Sequence, residues 1–254
     1  MLGTNELLFI LHLLVAGAIL LVAGRLGATG VTMLIVICGI AMNIAVQKQM
    51  TLFGLLVTGG NVEFATVFLA NDVLNEHYGP RAARRAIWLS FAANLAMVVL
   101  MQFVLAYRPD VEDAAQPHLY ALFNAAAYPR VVVASMVSYL VSQLLDTTLY
   151  QAIRRRTGTH RLLWLRSNAS TWVSQAFDTA FFTTAALTGP AAWGSVISSW
   201  HGWWNAVLFA FLVKILVAAL DTPFLYLSTL RALTPAGSTR ETAGGPPTSV
   251  TTEQ

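Results

Sequence analysis

Seven apolar runs of about 20 residues, separated by short polar breaks, constrain this chain more than any other feature. They fall at residues 7–23, 31–46, 52–69, 86–106, 131–150, 171–187 and 204–227. A helix of that length spans the roughly 30 Å hydrocarbon layer of a bilayer, and a backbone in lipid must satisfy its own hydrogen bonds. The runs predict an all-α, polytopic membrane bundle of seven spans. Composition agrees, because only 11% of the 254 residues are charged while 56% are apolar. An ordinary soluble domain carries roughly 25% charge. The first run has no Lys or Arg before it and no small-residue cleavage pattern after it, so it reads as a retained span and not as a signal peptide.

Seven crossings put alternate loops on opposite sides. Arg25, Arg81, Arg84, Arg85, Arg154, Arg155, Arg156, Arg161, Arg166, Arg231 and Arg240 then share one side, while Lys48, Arg108 and Arg130 share the other. Cytoplasmic loops collect Lys and Arg, so the eleven-cation side is the cytoplasm, the N-terminus lies outside and the C-terminus inside. Residues 1–231 read as one membrane domain. From Thr234 the composition turns to Pro, Gly, Ser and Thr, and 232–254 are expected to form a disordered cytoplasmic tail. In the loop between Arg108 and Pro129, the stretch 118–128 suits a short interfacial helix.

The informative residues are the polar ones inside the spans, where each charge costs about 2.5–3.5 kcal/mol and so faces a bundle interior or a wet cavity. The fifth span contains SQLLDTTLY (142–150) and the sixth SQAFDTAFF (174–182), a Ser-Gln-x-x-Asp-Thr repeat at a separation of 32 residues. Gln143 with Asp146, and Gln175 with Asp178, are three apart and share a helical face. Consecutive spans run antiparallel, so the two pairs are expected to face each other across a cavity. The seventh span adds Lys214 and Asp221, nearly in line, and the third adds Asn61 and Glu63 toward its outer half. Asp72 and Glu76 share one face where that span meets the cytoplasm, beside Arg81, Arg84 and Arg85, which also suits plain interfacial ion pairing. Helix cross-linking by these groups is the alternative to a pocket. As a set they favour a polar pocket or translocation path, because buried ion pairs roughly break even at best. Gly59 and Gly60 either loosen the third span or let it pack closely, and Ala16 to Ala18 offer a small-residue face for a partner helix.

Enzyme signatures are missing from the sequence: it holds no phosphate loop G-x-x-x-x-G-K-[ST], no H-E-x-x-H and no G-x-S-x-G. The five His are scattered, and the lone Cys38 excludes an intramolecular disulfide or a cysteine-based metal site. No cofactor is expected, nucleic acid is not an expected partner, and active transport needs an ion gradient or another subunit. An intramembrane aspartyl enzyme has no supporting motif.

Four strings carry a resemblance: FLANDVLNEHYGPRAARRAIW (68–88), PRVVVASMVSYLVSQLLDTTLY (129–150), WLRSNASTWVSQAFDTAFF (164–182) and LVKILVAALDTPFLY (212–226). Together they resemble the queuosine precursor transporter family over roughly residues 30–230. The resemblance implies uptake of cyano- or aminomethyl-deazaguanine across the cytoplasmic membrane. It also implies a core of six helices like the substrate-binding components of energy-coupling vitamin transporters, the first span being an addition. The family pattern carries onto Asn43, Asp72 and Glu76 with Gly79, Arg130, Ser135, Gln143, Asp146, Asn168, Gln175, Asp178 and Lys214. The pattern's position at Glu63 is usually apolar, a departure in this chain. A deazaguanine edge offers two N–H donors beside a carbonyl, which suits a carboxylate and an amide. Trp164, Tyr139, Phe177 and Phe181 are candidates to stack on the base. A homo-oligomer or an energy-coupling ATPase subunit is the expected partner, if any; the alternative function is a binding component for another vitamin or nucleobase that depends on such an ATPase.

Overall fold

The computed structural model describes residues 3–124, 129–157, 160–189, 197 and 199–229. The proposed tail at 232–254, Arg231 and Arg240, and the end of the loop stretch at 125–128 lie outside the described residues. The fold is an all-α membrane bundle with one small hairpin. Its helices are α1 (Thr4–Arg25), α2 (Gly27–Ala45), α3 (Asn61–His77), α4 (Gly79–Ala106), α5 (Gln116–Phe123), α6 (Pro129–Thr157), α7 (Leu163–Phe182) and α8 (Trp200–Ser228). A single 3₁₀ turn, His160–Leu162, leads into α7, and a π-turn, Thr183–Leu187, extends it.

Among the described residues, five helices are long and apolar enough to cross a membrane: α1, α2, α4, α6 and α8. The other two long helices, α3 and α7, carry the polar residues. α3 packs against α1, α2, α4, α6 and α8, and its residues 65–75 are buried without a break. A helix enclosed by protein has no need of a lipid-compatible surface, which is why Asn71, Asp72 and Asn75 are tolerated on it.

The third apolar run departs from the expected span over 52–69. Its first part forms a β-hairpin, β1 (Gln49–Leu52) paired antiparallel with β2 (Leu55–Thr58), and the helix begins only at Asn61. The turn residues Phe53 and Gly54 both have positive φ, 51° and 78°, as a two-residue type I′ hairpin requires. Glu6 and Asn5 of α1 anchor the turn: Phe53 N donates to Glu6 Oε1 at 2.9 Å, and Asn5 Nδ2 donates to Thr51 O at 3.2 Å. Gly59 and Gly60 therefore precede α3 and serve close packing. A Cβ at either would stand 2.8 Å from Ala45 O or 2.7 Å from Met42 O on α2. The sixth run also shifts, since α7 begins at Leu163, eight residues before the expected 171.

Consecutive helices meet in tight corners at one end. Gly79, at φ 80°, turns the chain between α3 and α4, and Pro80 opens α4 where no helical donor is lost. At that end Arg154 Nη1 donates to Asn75 O (2.7 Å), His77 Nε2 lies 3.3 Å from Ser228 Oγ, and Trp164 N donates to Tyr226 OH (3.2 Å). The opposite end holds the hairpin, α5 and the start of α8, whose N-cap Ser199 accepts from Gly202 N at 3.1 Å. Arg130 belongs to this second end, where its guanidinium donates to Ala185 O (2.7 Å) and to Thr188 O.

The small face at Ala16 to Ala18 is used inside the molecule. Gly17 is buried, and a Cβ there would stand 2.4 Å from the Phe224 ring of α8. The α1–α2 corner is closer still: a Cβ on Gly30 would meet Ala23 O at 2.3 Å, a backbone atom that cannot rotate away. Gly30→Ala is expected to destabilise by about 1–3 kcal/mol. A thermal melt of the detergent-purified protein checks this, and an unchanged Tm would mean the corner opens freely.

Candidate substrate site

α6 and α7 pack against each other as antiparallel neighbours, and the residues between them are polar. The repeat is longer than Ser-Gln-x-x-Asp-Thr: SYLVSQLLDT (138–147) and STWVSQAFDT (170–179) share S-x-x-V-S-Q-x-x-D-T. On antiparallel neighbours, two such strings are related by a pseudo-two-fold axis. Each Asp reaches the serines of the other copy. Ser138 Oγ donates to Asp178 Oδ1 at 2.7 Å, whereas Thr171 Oγ1 and Ser174 Oγ donate to Asp146 Oδ1 at 3.2 and 3.3 Å, with Ser170 beside the same carboxylate.

All four side chains of the two Gln/Asp pairs are buried, Gln143 and Asp146 completely. Their surroundings differ. Asp178 is neutralised by Lys214, whose Nζ donates to its Oδ2 at 2.6 Å while lying 4.3 Å above the Phe64 ring. Lys214 thus pairs with Asp178, seven-apart Asp221 remaining on the same helix without an ion pair among the described residues. Asp146 has no cation against it, and its Oδ2 has no hydrogen-bond partner. Neither amide atom of Gln143 has a partner, and Gln175 Oε1 has none. A buried amide left so costs about 1–3 kcal/mol per group on protein scales. The cluster therefore holds unspent donors and acceptors where the protein supplies nothing to meet them.

α3 closes the cluster from the side. Asn71 Nδ2 donates to Thr147 Oγ1 (2.8 Å), and Ser167 Oγ donates to Asp72 Oδ2, leaving Asn71 Oδ1 and Asp72 Oδ1 without partners. Asp72 is 1% exposed. This corrects its expected place at the cytoplasmic interface, and the cause is the late start of α3, which carries the helix on to His77. Glu76 also turns away from Arg81, Arg84 and Arg85. Arg166 Nη2 donates to its Oε1 at 2.8 Å, Tyr150 OH donates to its Oε2 at 2.8 Å, and Arg154 Nε stands 3.7 Å away. Arg166, counted by sequence among the loop cations, is 2% exposed inside this lock.

Two expected residues stand at the margin. Asn168 Nδ2 donates to Trp164 O and, at 2.8 Å, to Thr222 Oγ1 on α8, with Oδ1 left free. Asn43 stands apart on α2, where its amide donates to Asn94 Oδ1 on α4 at 2.7 Å; Tyr139 joins that network through Ser90 (2.9 Å). Of the aromatic candidates, Phe177 and Phe181 stack on each other at 5.6 Å and Trp164 faces outward. Sequence reasoning missed Ser138, Ser170, Asn71 and Arg166. For the two serines the signal was available, four residues upstream of each Ser-Gln.

A separate cleft of about 480 Å³ opens at the hairpin end, lined by Gln49, Thr58, Asn61, Asn205, Phe209 and Val213. Val213 precedes Lys214 on α8, and Asn61 lies one helical turn before Phe64 on α3. At the other end of the cluster stands the bonded set of Glu76, Arg166 and Tyr150.

Residues 58–228 match the family model described as "Putative vitamin uptake transporter". The chain is 38% identical over 217 residues to the "Probable queuosine precursor transporter" of Bacillus subtilis (strain 168), covering 85% of this chain and 90% of that protein. It is 27% identical over 180 residues to the "Queuosine precursor transporter" of Escherichia coli (strain K12), covering 69% and 74% respectively. No solved structure matches.

Proposed function

The chain belongs to the vitamin uptake transporter family, the family of the queuosine precursor transporters, and from that premise we propose that it carries a deazaguanine precursor of queuosine inward across the cytoplasmic membrane. All seven long helices cross the bilayer in this reading, with the Arg-rich corners in the cytoplasm, the N-terminus outside and the C-terminus inside. The base enters through the hairpin-end cleft and binds between α6 and α7.

One observation carries the assignment of the site: the unpartnered amide of Gln143 beside the unpartnered Oδ2 of Asp146, both fully buried. A deazaguanine edge presents two N–H donors next to a carbonyl oxygen. Asp146 Oδ2 accepts the donors, the Gln143 amide donates to the carbonyl, and Gln175 Oε1 accepts a remaining N–H. Asp178 and Lys214 form the outer wall and Asn168 the inner one, while Glu76 with Arg166 holds the cytoplasmic side closed until the base is bound. Asn43 steadies α2 against α4. Asp178 is already neutralised by Lys214 and Asp146 is taken up by the ring N–H donors, and a proton on Asp72 leaves no carboxylate for a cationic aminomethyl group, which favours the neutral cyano base.

Ligand-dependent melting of the purified protein tests the substrate. A ligand present at 100 times its Kd stabilises by about 2.7 kcal/mol. Cyano-deazaguanine is expected to raise Tm by several degrees, aminomethyl-deazaguanine less, and biotin or riboflavin not at all. A shift with an unrelated vitamin and none with either precursor base would overturn the reading.

A further inference from the structure

The buried charges of the cluster do not balance. Glu76 is matched by Arg166 and Arg154, and Asp178 by Lys214. Asp72 and Asp146 remain, on facing helices, each fully enclosed and each in the other's electrostatic field, with no ion pair to either among the described residues. The hydroxyl hydrogen bonds reach one oxygen of each: Ser167 meets Asp72 Oδ2, and Thr171 and Ser174 meet Asp146 Oδ1, with Ser170 and Asn71 also beside the Asp146 carboxyl. Asp72 Oδ1 and Asp146 Oδ2 are left bare, and Asn71, next to Asp72 and bonded to Thr147 next to Asp146, keeps a fully buried, unpartnered Oδ1 as well. Arg166 acts on Asp72 as well but is already paired with Glu76, and two buried carboxylates that repel one another do not both stay ionised without a cation of their own. The smallest cation that satisfies them is a proton.

We propose that Asp72 and Asp146 form a proton site that couples transport to the proton gradient, a role that rests on the transport reading above. One proton from the outer side binds the pair together with the base. When the N–H donors of the base occupy Asp146 Oδ2, that carboxyl is ionised and the proton sits on Asp72 Oδ1. The pair then carries one negative charge whether loaded by proton alone or by proton and base. Opening of the Glu76–Arg166 lock releases both to the cytoplasm, so one proton moves with each base.

Glu76 on α3, Tyr150 on α6 and Arg166 on α7 act on Asp72 directly. The elements around the pair also carry Glu63 on α3, Arg154 on α6, Asp178 on α7, and Lys214 and Asp221 on α8. α1 brings His12, placed 3.5 Å from Glu63, and α2 brings Cys38. α4 has its charges, Arg81, Arg84 and Arg85, in its first two turns.

The test uses the full chain in liposomes with labelled cyano-deazaguanine. An inside-alkaline pH gradient is expected to raise initial uptake at least tenfold over the same vesicles at equal pH, and a protonophore to abolish the gain. In Asp72→Asn, the ratio of uptake with and without the gradient is expected to fall to one, whatever the absolute rate. Stimulation of the wild type by a sodium gradient in place of the pH gradient would overturn the proton assignment, as would a ratio unchanged in the variant. An independent measurement needs no substrate. Asp221 is also buried and without an ion pair among the described residues, so the readout is a difference: the infrared band of a protonated carboxyl at neutral pH is expected to be weaker in Asp72→Asn than in the wild type. That difference without any uptake of the base would sink the substrate reading and leave the proton site standing, while an equal band in the two would sink the site. If Asp72→Asn does not fold, the same comparison with Asp146→Asn decides the matter.

Discussion

Asp146→Asn is expected to lower queuosine formation in tRNA by about 100-fold or more when a strain unable to make the precursor is fed the base. The carboxylate accepts two N–H donors in the proposed complex, and charge-assisted hydrogen bonds are worth about 1.5–3 kcal/mol each. Together that is about 3–6 kcal/mol, or two to four orders of magnitude in affinity. The fold survives the change, because an amide oxygen still accepts from Thr171 and Ser174 and no unpaired charge is created. Membrane abundance measured beside tRNA queuosine separates a damaged site from a missing protein. A loss of less than tenfold at full abundance would remove Asp146 from the site.

Lys214→Met is expected to act on the whole molecule. Removing one partner of a buried ion pair costs about 3–5 kcal/mol, because the remaining charge is stranded. The Asp178 side chain is 9% exposed and its Oδ2 has Lys214 at 2.6 Å, so the variant should lose most of its folded population. Asp178→Asn with Lys214→Met should regain it, since the double variant strands nothing and keeps the Ser138 hydrogen bond. Size-exclusion melting of the two single variants and the double variant measures the coupling. Equal melting of Lys214→Met and wild type would mean that the pair is open to water.

Much of this architecture was legible in the apolar runs. Five of them coincide with α1, α2, α4, α6 and α8, the helices among the described residues that are long and apolar enough to cross a membrane, because lipid imposes length and hydrophobicity directly. α3 was displaced by nine residues for the opposite reason. Its environment is protein, so Asn71, Asp72 and Asn75 read as the end of a span when they lie within it, and the apolar hairpin 49–58 read as its beginning. The buried polar cluster of the candidate site was legible where two copies of one string could be compared, as with Gln143 and Gln175. It was illegible where a partner came from a distant segment. Arg166 reads as one loop arginine among many, and only its 2.8 Å contact with Glu76, 90 residues earlier, marks it as buried.

The inverted ten-residue repeat has a consequence for how a bound base can leave. A two-fold axis across α6 and α7 means that a molecule between them meets the same ladder of Ser, Gln and Asp from the hairpin end as from the Arg-rich end. A ladder that reads alike in both directions has no intrinsic polarity. Three groups break the likeness: Lys214 on the Asp178 copy, and Asn71 with Asp72 on the Asp146 copy. In the proposed mechanism the proton gradient supplies the direction, and it acts at the unlike Asp146 copy and not through the repeat itself.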